Sequence, residues 1–242
     1  MADLLRQYGI KEVADVTIYK IASDGSEIPF LFLDTLKVST IEQTAEQADA
    51  RGGKGNPKLI TWDYGKEINV TLEDALYSPA SMALMFGGAN GAWTSSTSVE
   101  KGLSYMATAS ASATTVKSIT DGNGKTWTVK NFYEPGTTTT VSELKKGQRY
   151  IAECSATTTG NVLKIDADDF PGTYKIVGDT YARNRDTGED EYFQFIIPRA
   201  KMSAEQTLTL EAEGDPTTFN LNLTVLRPAS GSMMELVQYN IA

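Results

Sequence analysis

The chain contains no histidine and a single cysteine, Cys154, among 242 residues. Without histidine there is no Ser-His-Asp or Cys-His catalysis. The HExxH zinc sites and the histidine-containing metal triads are excluded as well. One cysteine cannot form an intramolecular disulfide, and an unpaired thiol suits a reducing compartment. Long apolar runs are missing too. The stretch 82–86 is far short of the ~20 residues a membrane helix needs, and residues 1–9 carry no signal-peptide pattern. The expectation is a protein made in the cytosol that does not enter a membrane. Cations are also in deficit: 22 basic against 31 acidic residues give a net charge of −9. A groove-binding reader of nucleic acid is normally basic. An acidic chain has a different relation to DNA, in which its surface repels phosphate.

What is present reads as strand. Threonine and serine abound, and β-branched residues recur in short alternating runs. In 13–21, Val13, Asp15, Thr17, Tyr19 and Ile21 face one way and Ala14, Val16, Ile18 and Lys20 the other. Further strands are expected at 29–33, 36–43 and 59–72, with a bulge or bend at Gly65. In the last of these Ile60, Trp62 and Tyr64 share a face, Ile68, Val70 and Leu72 continue the apolar set, and Trp62 is assigned to the core. Residues 42–58 have almost nothing to bury and are expected to be a mobile loop or an arm that orders on a partner. Residues 73–86 give the one helical pattern, broken or divided at Pro79 and stopped by Gly87 and Gly88.

Residues 89–173 are rich in Ser, Thr and Gly. They read as a small β-domain inserted between residues 1–88 and 174–242, with strands at 103–109, 126–132, 149–155 and 162–167 and a hairpin turn at 121–124. Strands at 174–182 and 191–197 flank a polar hairpin tip, and a last strand spans 234–241. Residues 205–213 and 218–226 read as another hairpin with one wholly polar face. Glu205, Thr207, Thr209, Glu211 and Glu213 line that face on the first strand, and Thr218, Asn220, Asn222 and Thr224 on the second, without lysine or arginine. Such a face is either a solvated sheet surface or the wall of a water-filled passage. Long strands with little lysine and no interior proline also leave edges free to pair with other chains.

Other motifs carry little. Gly124-Lys125-Thr126 lacks the glycine of a phosphate loop at position 119, and Asp121 to Gly124 lacks the closing Glu of a calcium loop. The acidic clusters Asp166, Asp168, Asp169 and Glu189, Asp190, Glu191 read as solvated turns. Cys154 reads as a buried, inert thiol.

Several segments resemble tail-tube (major tail) proteins of long-tailed bacteriophages: 181–188 (YARNRDTG), 193–202 (FQFIIPRAKM), 208–228, 59–65 (LITWDYG) and the strand-helix segment 69–88. The resemblance covers about two thirds of the chain and leaves out the insert, which is similar to the decorating domains some tube proteins carry. It implies a mostly β fold, an antiparallel β-sandwich or barrel of tail-tube type with one short α-helix, and no catalysis or cofactor. It implies a virion structural protein, assembled in the host cytoplasm, whose hexameric rings stack into a tube. That tube encloses the tape-measure protein and conducts DNA without binding it specifically. Its partners would be copies of itself, tail-tip or baseplate and terminator proteins, and a sheath where the tail has one. By position, Arg51, Gly52, Gly53, Lys54, Gly55 and Asn56 would form an inter-ring arm, and the polar face of 205–224 the lumen. The alternative reading is a β-rich carbohydrate-binding or adhesion module with the insert as the ligand holder.

Overall fold

The computed structural model describes residues 6–87, 94–114, 116–121, 123–209, 217–229 and 231–239. The chain divides into two units, Met1–Trp93 with Leu163–Ala242, and Thr94–Val162. The first unit is one nine-stranded antiparallel sheet. Its strands are β1 (Tyr8–Ile10), β2 (Asp15–Ile21), β3 (Glu27–Leu33), β4 (Leu36–Arg51), β5 (Lys58–Asp74), β10 (Thr173–Asn184), β11 (Asp190–Met202), β12 (Phe219–Val225) and β13 (Glu235–Tyr239). The order is β3-β2-β10-β11-β12-β5-β4, with β1 also on β10 and β13 also on β11. β3 and β4 end this order at opposite edges, yet only Asp34 and Thr35 separate them in sequence. The sheet must therefore roll until its edges approach. Thr35 extends the β4–β5 pairing by one step at this corner: its carbonyl accepts from the Ala75 amide at 3.2 Å, and its hydroxyl donates to buried Asp74 at 2.5 Å.

The rolled sheet closes on one core. Val16 and Ile18 of β2, Ile68, Val70 and Leu72 of β5, Ile176 of β10, Ile197 and Met202 of β11, and Leu221 and Leu223 of β12 point inward with Leu84 and Met85 of the helix. Alternation generates this set, because successive strand residues point to opposite faces. The helix α1 is Pro79–Phe86, shorter than the sequence pattern suggests. Pro79 opens the helix rather than breaking it. At the first helical position its missing N–H costs nothing and its fixed φ is already helical. Ser78 caps the start: its hydroxyl accepts from the Ser81 amide at 3.0 Å, and the Ser81 hydroxyl accepts from the Ser78 amide at 2.8 Å, a reciprocal capping box. Gly87 ends the helix in the left-handed region at φ 67°, as a helix-terminating glycine does.

The second unit is a four-stranded sheet ordered β6 (Thr94–Thr108), β9 (Arg149–Val162), β8 (Thr126–Tyr133), β7 (Ser118–Thr120). Its β9 carries the expected strand at 149–155 on to Val162, and the separate strand expected at 162–167 is absent, because residues 163–172 are irregular. Tyr150, Ala152 and Cys154 of β9 are buried with Leu144. The Cys154 thiol sits inside and burial pushes its pKa up, so it is a poor nucleophile. The expected turn at 121–124 joins β7 to β8. The Asp121 carboxylate gathers it by accepting from the Trp127 indole at 2.8 Å and from the amides of Asn123 and Lys125. These bonds, the indole's first, hold the Asp121 carboxyl below its usual range.

Two expectations about strands fail here. Residues 42–58 are not a loop: 42–51 belong to β4, 58 opens β5, and only 52–57 turn. Residues 205–209 form no strand, 210–216 lie outside the described residues, and β12 pairs with β5 and β11 rather than with its sequence neighbour.

Candidate functional site: a protruding arm and a cation-poor sheet face

Two features of the β4–β5 pair stand out. The first is its length. From Ile68 to Asp74 the inward residues of β5 are buried, but from Lys58 to Glu67 every residue of β5 is exposed. The paired stretch of β4 is also almost wholly exposed. This distal half is an arm outside the core. Its tip is a turn in which the Gly52 amide donates to the Pro57 carbonyl at 3.3 Å and the Asn56 amide to the Gly53 carbonyl at 3.1 Å. Gly53, Gly55 and Asn56 have φ of 84°, 85° and 49°, the left-handed values that make glycine and asparagine the residues of tight turns. The six expected arm residues, Arg51, Gly52, Gly53, Lys54, Gly55 and Asn56, thus sit at the end of a paired ribbon rather than in a loop. Below the tip Asp49 is a hub. Its carboxylate accepts from Lys58 Nζ at 2.8 Å, from Thr61 Oγ1 at 2.9 Å and from Arg51 at 3.1 Å. These bonds, Lys58's first, hold the Asp49 carboxyl below its usual range.

Gly65 marks the root of the arm, at φ 60°. Thr44 pairs with Glu67 and Glu46 with Tyr64, so Gly65 and Lys66 oppose the single residue Ala45. This is a bulge, as the glycine suggests, and it reverses side-chain parity along β5. Ile60, Trp62 and Tyr64 therefore do not continue into Ile68, Val70 and Leu72. They lie on the opposite side of the ribbon, and Trp62, assigned to the core from sequence, is 53% exposed.

The second feature is the outward face of the base. By register Glu67, Asn69, Thr71 and Glu73 of β5 share it with Thr40, Glu42 and Thr44 of β4 and with Asn220, Asn222 and Thr224 of β12. The Thr71 hydroxyl donates to Asn222 Oδ1 at 3.1 Å, and the Thr224 hydroxyl to Asn69 Oδ1 at 2.9 Å. At the paired positions 40–44, 67–73 and 220–224 this face carries glutamate, threonine and asparagine and no lysine or arginine, and at its end Val38 and, in a bulge of β4, Lys37 stand exposed opposite Glu73. On the β12 side cations begin on β11 with Arg199 and Lys201. Lys201 stands opposite Thr224, where its ammonium donates to the Pro171 carbonyl.

Of the residues expected on this face, Asn220, Asn222 and Thr224 are exposed on β12. Thr218 precedes the strand. Glu205, Thr207 and Thr209 lie in an irregular segment, and Glu211 and Glu213 lie outside the described residues. What sequence reading missed is that β12 lies between β11 and β5, so that its outward face is continued by β5 and then β4, more than a hundred residues away. The composition of alternate positions at 67–73 was the available signal.

Several carboxylates elsewhere are tied up in structure, whereas in the cluster Asp166, Asp168 and Asp169 the Asp169 Oδ2 is buried without a hydrogen-bond partner among the described residues. Arg183 holds Asp190 through two bonds of 2.7 Å. Glu191 accepts from Tyr8 and from Gln238. In the insert Glu153 accepts from Asn131 at 3.0 Å and Tyr133 at 3.2 Å. Among the described residues no group of three His, Cys, Asp or Glu side chains is arranged to hold a metal. Among them, too, no helix is long and apolar enough to cross a membrane. The insert has hollows of about 350 Å³ beside Val129, Phe132 and Val141 and of about 420 Å³ beside Glu134, Glu143 and Tyr150, within the ~300–1,000 Å³ of ordinary ligand sites, and one of about 230 Å³ lined by alanines with Ile119, Phe132 and Leu144.

A rolled antiparallel sheet with an exposed arm and a cation-poor face is what the described residues present. The chain belongs to the YomU/Tube protein family, whose model matches residues 8–238. The match spans the insert as well as the rolled sheet. No curated protein matches the chain in sequence. Membership makes it a phage tube protein, a component of the virion tail that associates with copies of itself.

Proposed function

We propose that this chain is the tail-tube subunit itself. Copies close into hexameric rings, rings stack into a tube, and the bore encloses the tape-measure protein during assembly and conducts DNA at infection. Tail-tip or baseplate and terminator proteins begin and end the stack, and a sheath surrounds it where the tail has one. The insert, which the sequence places at 89–173, decorates the outside. Function arises from assembly, with no catalytic step and no cofactor.

The observation that carries this reading is the shared face of β4, β5 and β12. Three carboxylates, Glu42, Glu67 and Glu73, stand among threonines and asparagines, and the paired positions 40–44, 67–73 and 220–224 put no cation on that face, Lys37 in the β4 bulge lying at its end. Protein surfaces ordinarily intersperse both signs. A wall of this composition repels phosphate at distances up to the Debye length, ~8 Å at physiological salt, and offers no counter-charge for DNA to release ions onto. DNA then slides without sticking. Asn220, Asn222 and Thr224 keep their assignment to the lumen, and Thr40, Glu42, Thr44, Glu67, Asn69, Thr71 and Glu73 join them. Arg51 to Asn56 form the tip of the arm that reaches the next ring.

The test is negative-stain electron microscopy of the purified chain over a concentration series, alone and seeded with isolated tail tips. Hollow tubes of uniform bore are expected. Monomers at every concentration, with and without the seed, would sink the proposal.

A further inference from the structure

The arm has two unlike faces. Its pairing is uninterrupted from Glu46 with Tyr64 to Ala50 with Ile60. Ile60, Trp62 and Tyr64 therefore share one face with Ala48 and Ala50, and Glu46 closes that face at the root of the arm. The other face carries Asp49, Gln47, Thr61 and Asp63, whose side chains are bonded to one another: Thr61 to Asp49 at 2.9 Å and Gln47 to Asp63 at 2.9 Å. The polar face is self-satisfied. The apolar face is open, with Ile60, Trp62 and Tyr64 each 53% exposed.

A two-stranded ribbon on its own is marginally stable in water, and contiguous apolar surface of this kind marks a contact site. Arm residues 43–67 number about 25, which matches the 20 to 30 residues a specific interface uses on each side. The other end of the same strand pair carries a second exposed apolar group. Beyond β5 Leu76 and Tyr77 are 63% and 59% exposed. At ~3.3 Å per residue, the stretch from Tyr64 to the end of β5 at Asp74 sets the two groups at least about 33 Å apart. One molecule cannot bring them together. Two molecules in head-to-tail order can, and a heterologous contact of that kind propagates as an open array.

We propose that the Ile60–Trp62–Tyr64 flank of the arm seats on the Leu76–Tyr77 end of a second copy of this chain, with the Gly65 bulge setting the direction in which the flank faces. The inference rests on the tube reading. It moves the contact from the glycine-rich tip to the flank beneath it and names its acceptor. Tryptophan and tyrosine are the residues on which interface energy concentrates, and the tip offers none.

The experiment uses three full-length variants, each checked for its fold by circular dichroism and thermal melting, because every altered position is exposed. Trp62→Glu removes the donor flank and Leu76→Glu removes the acceptor. Insertion of one alanine between Ala45 and Glu46 gives β4 a residue to match the bulge and turns the flank to the other side while keeping every original side chain. Each variant alone is expected to stop at the particle that lateral contacts permit, with no tubes by microscopy. An equimolar mixture of Trp62→Glu and Leu76→Glu restores one junction and no more. The particle mass measured by sedimentation then doubles and stops. Tubes from either glutamate variant, or a mixture that does not double, would overturn the inference while leaving the tube reading standing. Tubes from the insertion variant would overturn the role of the bulge. Failure of the unaltered chain to assemble, even on tail tips, would remove both.

Discussion

Gly178 sits in the middle of β10, paired with Phe195 of β11 on one side and Val16 of β2 on the other. The Phe195 ring lies over it. A Cβ built on Gly178 would stand 2.1 Å from Phe195 Cζ and 2.2 Å from Cε1. Carbon atoms in contact settle near 3.5–4.0 Å, so in Gly178→Ala the ring must retreat by more than about 1.3 Å. Phe195 is 4% exposed and belongs to the main core, and packing of that density has no room to receive it. Overpacking of this kind costs about 1–3 kcal/mol. At ~2–4 °C per kcal/mol for a chain of this size, the melting temperature should fall by roughly 2–12 °C. Calorimetry is the assay, because the insert can unfold separately and only the transition of the nine-stranded unit should move. Gly102→Ala in β6 is the control. Nothing lies within 4 Å of its Cβ, so it should be neutral or gain up to ~1 kcal/mol from the stiffened unfolded chain. Adding Phe195→Ala removes the clash, so the double variant should cost less than the sum of the two singles. Equal melting of Gly178→Ala and Gly102→Ala, or strict additivity with Phe195→Ala, would refute the close approach.

Three further outcomes follow from the geometry. Ser78→Ala removes one half of the capping box and should destabilise the same transition by about 0.5–2 kcal/mol, read by denaturant melting, with Ser78→Thr recovering most of the loss. The Arg183 bonds depress the Asp190 carboxyl below its ordinary 3.8. The contribution of this exposed pair is therefore present above the unfolded pKa and is lost as pH falls through the lower folded value. Carbon-13 NMR should find the midpoint below 3.8 in the native chain and raised by Arg183→Gln, and an unmoved midpoint would remove the pair as its cause. Asn222→Lys puts a cation on the face assigned to the lumen without touching the core. Its tubes should retain duplex DNA at about 50 mM salt and release it by about 200 mM, whereas unaltered tubes retain none, and equal behaviour would place β12 outside the bore.

The strands legible from sequence are those with one buried face. In 13–21, 174–182 and 219–225 the sequence alternates because one side meets the core and the other meets water. The distal part of β4 had no such signal. Residues 43–51 are exposed or half-exposed on both sides, so burial imposed no period, and polarity read as looseness. Its order comes instead from backbone bonds to β5, which a sequence does not display. The helix erred differently. The apolar spacing at 76–86 was real, but Leu76 lies outside the helix and Pro79 opens it. The partner of β12 was lost for a topological reason. A hairpin with the preceding segment was the local solution, and the chain uses a long-range one with β5.

The candidate site shows the same divide, and its resolution turns on Gly65. The glycine was legible as a bulge, but not the consequence that an extra residue reverses parity. Read without the reversal, Ile60, Trp62 and Tyr64 extend the stripe of Ile68, Val70 and Leu72 and belong in the core. Read with it, they extend Glu67, Asn69, Thr71 and Glu73 on the outward side. One continuous outward surface then changes from aromatic to acidic within a few residues. No single environment suits both halves. An acidic face is stable against water, and an aromatic one is stable only when covered. A subunit that presents both on one side of one strand pair must have that side meet protein at the arm and solvent at the base. The proposed stack of rings around a wet bore would supply those two environments to every copy, and an isolated monomer supplies only the second.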